Sequence, residues 1–302
     1  MTGDIATDRT PDSPSGIENR MNSSLTIVIM NFCARQFTTA RNARGFLIAV
    51  FLLFGWVTIV GAQTYYRKVG VDTALYVRRN TVNGIPFISL RMNRNVAYVT
   101  MADSVIPDRN DSTIFLCVEA AFTGELLSEF KSTNVAGDYV IKGRRRKGYG
   151  CKANTGYLLA TADGDVRIGK NSDGLEGVIQ TALQGQGSLF QQALLVHQNG
   201  IVYEEPRLDK GPRLNNSNIY RAACKTLDGA FLIIQSESAL TLRDFMDALP
   251  KMDISEALYL DMGRGWNYGW YRPTTGSPAI NFFDYKSPYQ TNWLVIRQKI
   301  HD

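Results

Sequence analysis

Two carboxylates stand out by their surroundings. Asp261 follows the apolar run Ala257-Leu258-Tyr259-Leu260 and precedes Met262-Gly263-Arg264-Gly265. It therefore stands at a strand mouth with pliable backbone around it, where a ligand can approach closely. The structural alternative is an Asx-turn onto the amides that follow. Glu119 is the single charge in the apolar run 114–122, IFLCVEAAF. Burial there raises its pKa and suits a general acid that protonates a leaving phosphate or sugar oxygen; strict alternation would turn it to solvent instead. As a pair, the two have the residue types of a glycoside hydrolase, which needs its carboxyl groups within about 10 Å of each other.

Other side chains carry binding chemistry. Arg221 heads a strand whose next residues, Ala222 and Ala223, are small. Its guanidinium fork suits bidentate capture of a phosphodiester, and the alternative is a surface ion pair. Gln192 and Asn154 have amides that fit sugar hydroxyls or ordinary loop duty. Trp266, Tyr268 and Trp270 are spaced by two and fall on one side of a strand, as a carbohydrate platform or as core aromatics. His197 lies inside a hairpin strand and reads as structural.

Much chemistry is excluded. The chain has only 2 histidines, His197 and His301, which rules out HExxH and His-rich zinc sites. It has no GxSxG, no P-loop and no GxGxxG after a strand. Of 4 cysteines, Cys117, Cys151 and Cys224 follow residue 62, with no CxxC spacing, so a disulfide framework is not expected. No ligand cluster at metal spacing and no organic cofactor motif is present. The net charge of +5 is mild. Its dense run, Arg144-Arg145-Arg146-Lys147 between Gly143 and Gly148, lacks interleaved aromatics. It reads as a solvated loop open to an anionic ligand, and no nucleic-acid partner is expected.

The elements that must position these residues are mostly strands. TALYVRR, IPFISLRM and NVAYVTM alternate apolar and polar positions between Val69 and Val105. The run 114–122 has the pattern of a buried strand. Three hairpins follow, with turns at Asp163-Gly164, Asn199-Gly200 and Asp228-Gly229. Leu242, Phe245, Met246 and Leu249 recur at helical spacing, with Ser238 or Thr241 to cap the start and Pro250 to end it. The fold class expected is α+β: one strand-rich domain with few helices, spanning 63–302.

Ahead of it, residues 1–45 are polar and read as disordered, basic toward their end. Residues 46–62, FLIAVFLLFGWVTIVGA, hold no charge and follow Arg35, Arg41 and Arg44. They read as a signal-peptide core cleaved after Ala62, or as a membrane anchor of near-minimal length. Met21 and Met30 offer alternative starts that would give a leader of ordinary length. Either way residues 63–302 are exported, to a periplasm, to the outside, or to the outer side of a membrane touched only through 46–62.

The order of motifs in the last hundred residues resembles the phosphodiester glycosidase family. FQQALLVHQNG (190–200), IYRAACKTLDGAFLIIQS (219–236), LTLRDFMDAL (240–249), ALYLDMGRG (257–265) and the closing TNWLVI carry the resemblance. Upstream, CVEAAFTG (117–124) stands where that family has an Asn-rich strand end, and NVAGDYVIKG (134–143) where its chain returns to the site. The resemblance spans roughly 95–300 and is strongest over 219–263. The family's LDGGGS is here Leu260-Asp261-Met262-Gly263-Arg264-Gly265, and its Gln-Ser-Gly-Pro is Gln191-Gln192-Ala193-Leu194. It implies an exported hydrolase that cleaves a sugar from a glycosyl phosphodiester of an envelope or extracellular glycan. Asp261 and Glu119 would be catalytic; Arg221, Gln192, Asn154, Gly263 and Trp266 would bind substrate. The eroded motifs also fit a non-catalytic carbohydrate-binding protein on the same fold.

Overall fold

The computed structural model describes residues 73–205, 211–263, 268–283 and 288–299. The polar N-terminus, the 46–62 segment and Trp266 lie outside the described residues. In chain order the strands are β1 (Leu75–Val82), β2 (Ile85–Met92), β3 (Ala97–Asp103), β4 (Ile114–Glu119), β5 (Tyr139–Ile141), β6 (Arg144–Arg146), β7 (Gly156–Ala160) and β8 (Val166–Lys170). Helix α1 (Leu175–Gln184) follows, then β9 (Ser188–Gln192), β10 (Leu194–His197), β11 (Gly200–Ile201), β12 (Ser217–Asn218), β13 (Arg221–Thr226), β14 (Phe231–Ser236) and β15 (Leu240–Thr241). Helix α2 (Leu242–Ala248) precedes β16 (Ile254–Tyr259), β17 (Gly269–Tyr271), β18 (Ile280–Asn281) and β19 (Asn292–Gln298). Strands therefore dominate, with two α-helices among the described residues.

Three larger sheets organise the chain. A 7-stranded sheet runs β1-β2-β14-β13-β16-β10-β11; 5-stranded sheets run β18-β17-β4-β19-β3 and β6-β5-β9-β7-β8; β12 and β15 pair alone. Neighbouring strands pair antiparallel, so tight turns suffice for several connections. Asn83 and Gly84 close β1–β2 with φ of 53° and 79°, the left-handed pair that a two-residue turn requires. The β10–β11 turn is centred one residue earlier than the sequence suggested. His197 pairs with Gly200, and Gln198 and Asn199 take the positive φ of 51° and 64°. Asn199 fits the left-handed region and Gly200 becomes a strand residue.

Apolar faces of all three sheets meet in one core, with Leu90 from β2, Val99 from β3, Val118 from β4, Leu158 from β7, Phe190 from β9 and Ile233 from β14. The opposite face of the 7-stranded sheet packs on α2. Leu242, Phe245, Met246 and Leu249 bury there against Phe87, Ala222 and Ile234, each such side chain contributing roughly 1.5–3 kcal/mol. Thr241 rather than Ser238 caps α2, accepting the Asp244 N–H at 3.1 Å.

One expectation changes, and one open alternative is decided. Arg144–Arg146 is an edge strand, not a free loop. Arg145 pairs with Asp138 at 2.9 Å and Glu176 at 2.8 Å, and Arg146 and Lys147 lie 3.9 Å from Asp103 and Asp138. Charged residues on an edge also discourage further strand pairing. Tyr268 and Trp270 are core, packed with Cys117, Trp293 and Val295, so these two form no surface platform.

Candidate functional site

The site assembles where β4, β16, β9 and β19 end together. Ala120 follows β4, and its carbonyl accepts two donors: the Asp261 N–H at 3.1 Å and the Gln192 side-chain amide at 3.3 Å. Gln192 Oε1 in turn accepts the Ala193 N–H at 2.9 Å. Asn292, which opens β19, clamps the same loop from the other side, with Oδ1 accepting the Ala121 N–H at 2.8 Å and Nδ2 donating to the Ala121 carbonyl at 3.1 Å. Glu119, Asp261 and Gln192 thus belong to one hydrogen-bonded junction built from segments 140 residues apart.

Glu119 is 1% exposed and Asp261 4%. Every residue of β4 is buried, so alternation does not carry Glu119 to solvent. Its cross-strand neighbour is Trp293, and Oε1 has no hydrogen-bond partner. Burial pushes the Glu119 carboxyl far above the usual range, and the Asp261 charge pushes it further; Arg221 and the Trp293 indole oppose this. Trp293 Nε1 makes no hydrogen bond by geometry, so its influence is that of a nearby dipole.

Asp261 is pushed up to about 7, chiefly by burial, and the N–H groups of Gly263, Thr123 and Met262 hold it from rising more. The Gly263 N–H donates to Oδ1 at 3.1 Å, so the Asx-turn is also present. Asp261 therefore ionises first, and its charge helps retain the Glu119 proton. Near pH 7 the junction holds a neutral acid and a carboxyl poised at half-ionisation, the division of labour that acid–base chemistry needs. Phe122, Thr123, Tyr149 and Gly263, all half-buried, border it. Burial, with Cys151 and Asp261 nearby, pushes the Tyr149 phenol up to about 12.

Arg221 lies behind this junction, fully buried. Nε and Nη2 donate to Gln235 Oε1 at 2.9 and 2.7 Å, and Nη1 to the Tyr268 carbonyl at 3.2 Å. Its guanidinium carbon stands 4.6 Å from the Phe282 ring centre, a cation–π distance. Burial pushes its pKa down to about 9, against the raising influence of Glu119, so it stays a cation at pH 7. A Cβ on Gly269 would come within 3.1 and 3.2 Å of the guanidinium nitrogens, and the bare glycine makes room for them.

Asn154 belongs to an adjoining amide cluster. Asn171 Nδ2 donates to the Asn154 carbonyl at 2.9 Å and to Gln191 Oε1 at 3.1 Å, and Gln191 donates to the Asp138 carbonyl at 2.8 Å. Both polar atoms of the Asn154 side chain are buried without partners. His197 stands apart on the β10 hairpin, 2.8 Å from Glu256. Sequence reasoning missed Gln235, Asn292 and Tyr149. Gln235 lies opposite Arg221 because the turn is centred on Asp228, half a residue earlier than a two-residue Asp228-Gly229 turn would place it. Among the described residues no group of three or more His, Cys, Asp or Glu could hold a metal, and no helix is long and apolar enough to cross a membrane.

No family model matches the chain, and no curated protein matches it in sequence. Its fold has a distant likeness to solved structures. One is the catalytic domain of zebrafish N-acetylglucosamine-1-phosphodiester alpha-N-acetylglucosaminidase, auto-inhibited by its pro-peptide, with TM-score 0.46 and 9% identity over 78% of this chain and 86% of that one. Another is a hypothetical protein from Synechocystis, with TM-score 0.45 and 12% identity over 76% of this chain and 62% of that one.

Proposed function

We propose that this chain is an exported hydrolase that cleaves a sugar from a glycosyl phosphodiester, with Glu119 as proton donor and Asp261 as the ionised partner. The observation that carries the reading is the carboxyl pair itself. Two acids are buried at one strand junction, one with an unpartnered oxygen, and their environments separate their proton affinities. Catalytic acid–base pairs are built in this way. Gln192 and Gly263 supply an amide and backbone at the same junction, Asn154 stands in the adjoining amide cluster, and Trp266 is carried as a substrate-binding residue on the sequence alone. Arg221 has its donors engaged by Gln235 and Tyr268, which favours a fixed counter-charge over direct capture of phosphate. The partner is the glycan substrate, and export rests on the 46–62 segment.

The near-complete burial of both carboxyls favours a second reading, a carbohydrate-binding protein without turnover. Hydrolysis of a panel of sugar-1-phosphodiesters by the full-length protein separates the two. The hydrolase reading expects turnover that Glu119→Gln and Asp261→Asn each abolish while sugar binding remains. Sugar binding with no turnover by the unaltered protein would leave the binding reading standing and remove the first.

A further inference from the structure

The opposite end of the 7-stranded sheet carries an open cleft of about 200 Å³ that takes no part in the junction above. Arg221 and Thr226 bound β13, and five residue steps separate the two sheet ends by about 17 Å. The cleft lies among the β2–β3, β7–β8 and β13–β14 connections, and Met92, Val166 and Phe231 give it an apolar lining. Arg91 near the end of β2 and Arg94 in the β2–β3 connection line it, together with Tyr76.

The charges there are unevenly matched. Arg91 spends one nitrogen on Asp228 at 3.1 Å. Asp165 is held by Arg167 at 3.1 Å, and Asp163 accepts from the Thr161 hydroxyl. Lys299 donates to the Asp163 carbonyl at 3.2 Å, beside Gly164 on the cleft wall. Arg94 is exposed and, among the described residues, pairs with no acid. Among the described residues of this rim, the acids are thus spoken for while a whole guanidinium and part of a second are not. An anion suits these donors. Asp165 in the wall and Asp228 on Arg91 weigh against a doubly charged one, and the lining favours a ligand with apolar surface to bury.

We propose that this cleft binds a small organic monocarboxylate, its carboxylate on Arg94 and Arg91 and its body against Met92, Val166 and Phe231. The site is independent of the hydrolase reading and stands or falls separately from it. Saturation-transfer NMR of the full-length protein with benzoate, and with benzamide as the neutral isostere, tests it. Benzoate should bind saturably, benzamide at least tenfold more weakly, and Arg94→Gln should weaken benzoate by about tenfold, as expected for one charge-assisted contact. Arg94 is exposed, so its replacement should leave the fold intact, and Arg144→Gln, which alters a distant exposed arginine, should leave binding unchanged. Equal binding of benzoate and benzamide, indifference to Arg94→Gln, or no benzoate saturation by roughly 10 mM would overturn the proposal.

Discussion

Replacing Gln235 by Leu tests the most demanding feature of the interior, a buried cation held only by neutral acceptors. Arg221 is 0% exposed and Gln235 4%. One amide oxygen accepts both Nε and Nη2, at 2.9 and 2.7 Å. Leucine keeps the apolar bulk and removes that oxygen, leaving the Tyr268 carbonyl and the Phe282 face as the guanidinium's remaining support. A hydrogen bond to a charged group contributes about 1.5–3 kcal/mol, and stranding a buried charge costs about 3–5 kcal/mol. We therefore expect Gln235→Leu to cost about 4 kcal/mol, read as a lower urea midpoint at unchanged slope. At about 2–4 °C per kcal/mol for a domain of this size, Tm should fall by roughly 8–16 °C. Adding Arg221→Met should restore at least half the loss, because it removes the stranded charge and leaves only the neutral Tyr268 carbonyl without its donor, and Glu119, held neutral, does not then become a stranded anion. A loss under about 1 kcal/mol, or a double variant weaker than Gln235→Leu alone, would refute this account of the interior.

Three further expectations follow from the same geometry. Asp261 has a folded pKa of about 7 against an ordinary 3.8, so between those values the folded state keeps a proton that the unfolded chain has lost. Stability then falls as pH rises from about 4 to 7, and Asp261→Asn should make that fall shallower in melts across the window, since its share is roughly 4 kcal/mol at most. Gly148→Ala would bring a Cβ within 2.0 Å of the Gly137 carbonyl oxygen and 2.4 Å of the Val135 oxygen. Both belong to backbone pinned by hydrogen bonds to Tyr149, so a loss of at least about 3 kcal/mol should appear in urea titrations. Thr241→Ala removes the α2 cap and should cost about 1 kcal/mol, with sugar-phosphodiester turnover, if measured, unchanged because α2 packs on the face away from Glu119.

What was legible in the sequence was local. The β4 run, the turn at Asn83-Gly84 and the helix from Leu242 announce themselves through neighbours within eight residues. Helix α1 had its own signal in Leu175, Val178, Ile179 and Ala182, weakened by Gly174 at its start and Gly177 inside it, and tertiary packing on Val140, Leu159 and Leu189 overrides that weakness. For the candidate site, residue type and strand-end position marked Glu119 and Asp261 individually. Their meeting through the Ala120 carbonyl is a sheet register between segments far apart in the chain, and no local pattern encodes it.

Arg221 lies between these cases. A turn centred on Asp228 places residue 235 opposite residue 221, because the two are equidistant from it, and the structure has that register. The two-residue turn read at Asp228-Gly229 sets Ser236 opposite Arg221 instead, so the neutral cross-strand amide comes from the observed register. A cation buried with neutral acceptors alone leaves its charge uncompensated, which the interior tolerates poorly. Some carboxyl must approach, and Glu119 is the first of the groups whose charge favours the guanidinium. The buried carboxyls and the buried arginine are thus one electrostatic arrangement: the cation behind the junction favours an ionised carboxyl, while burial and the Asp261 charge favour the protonated form of Glu119.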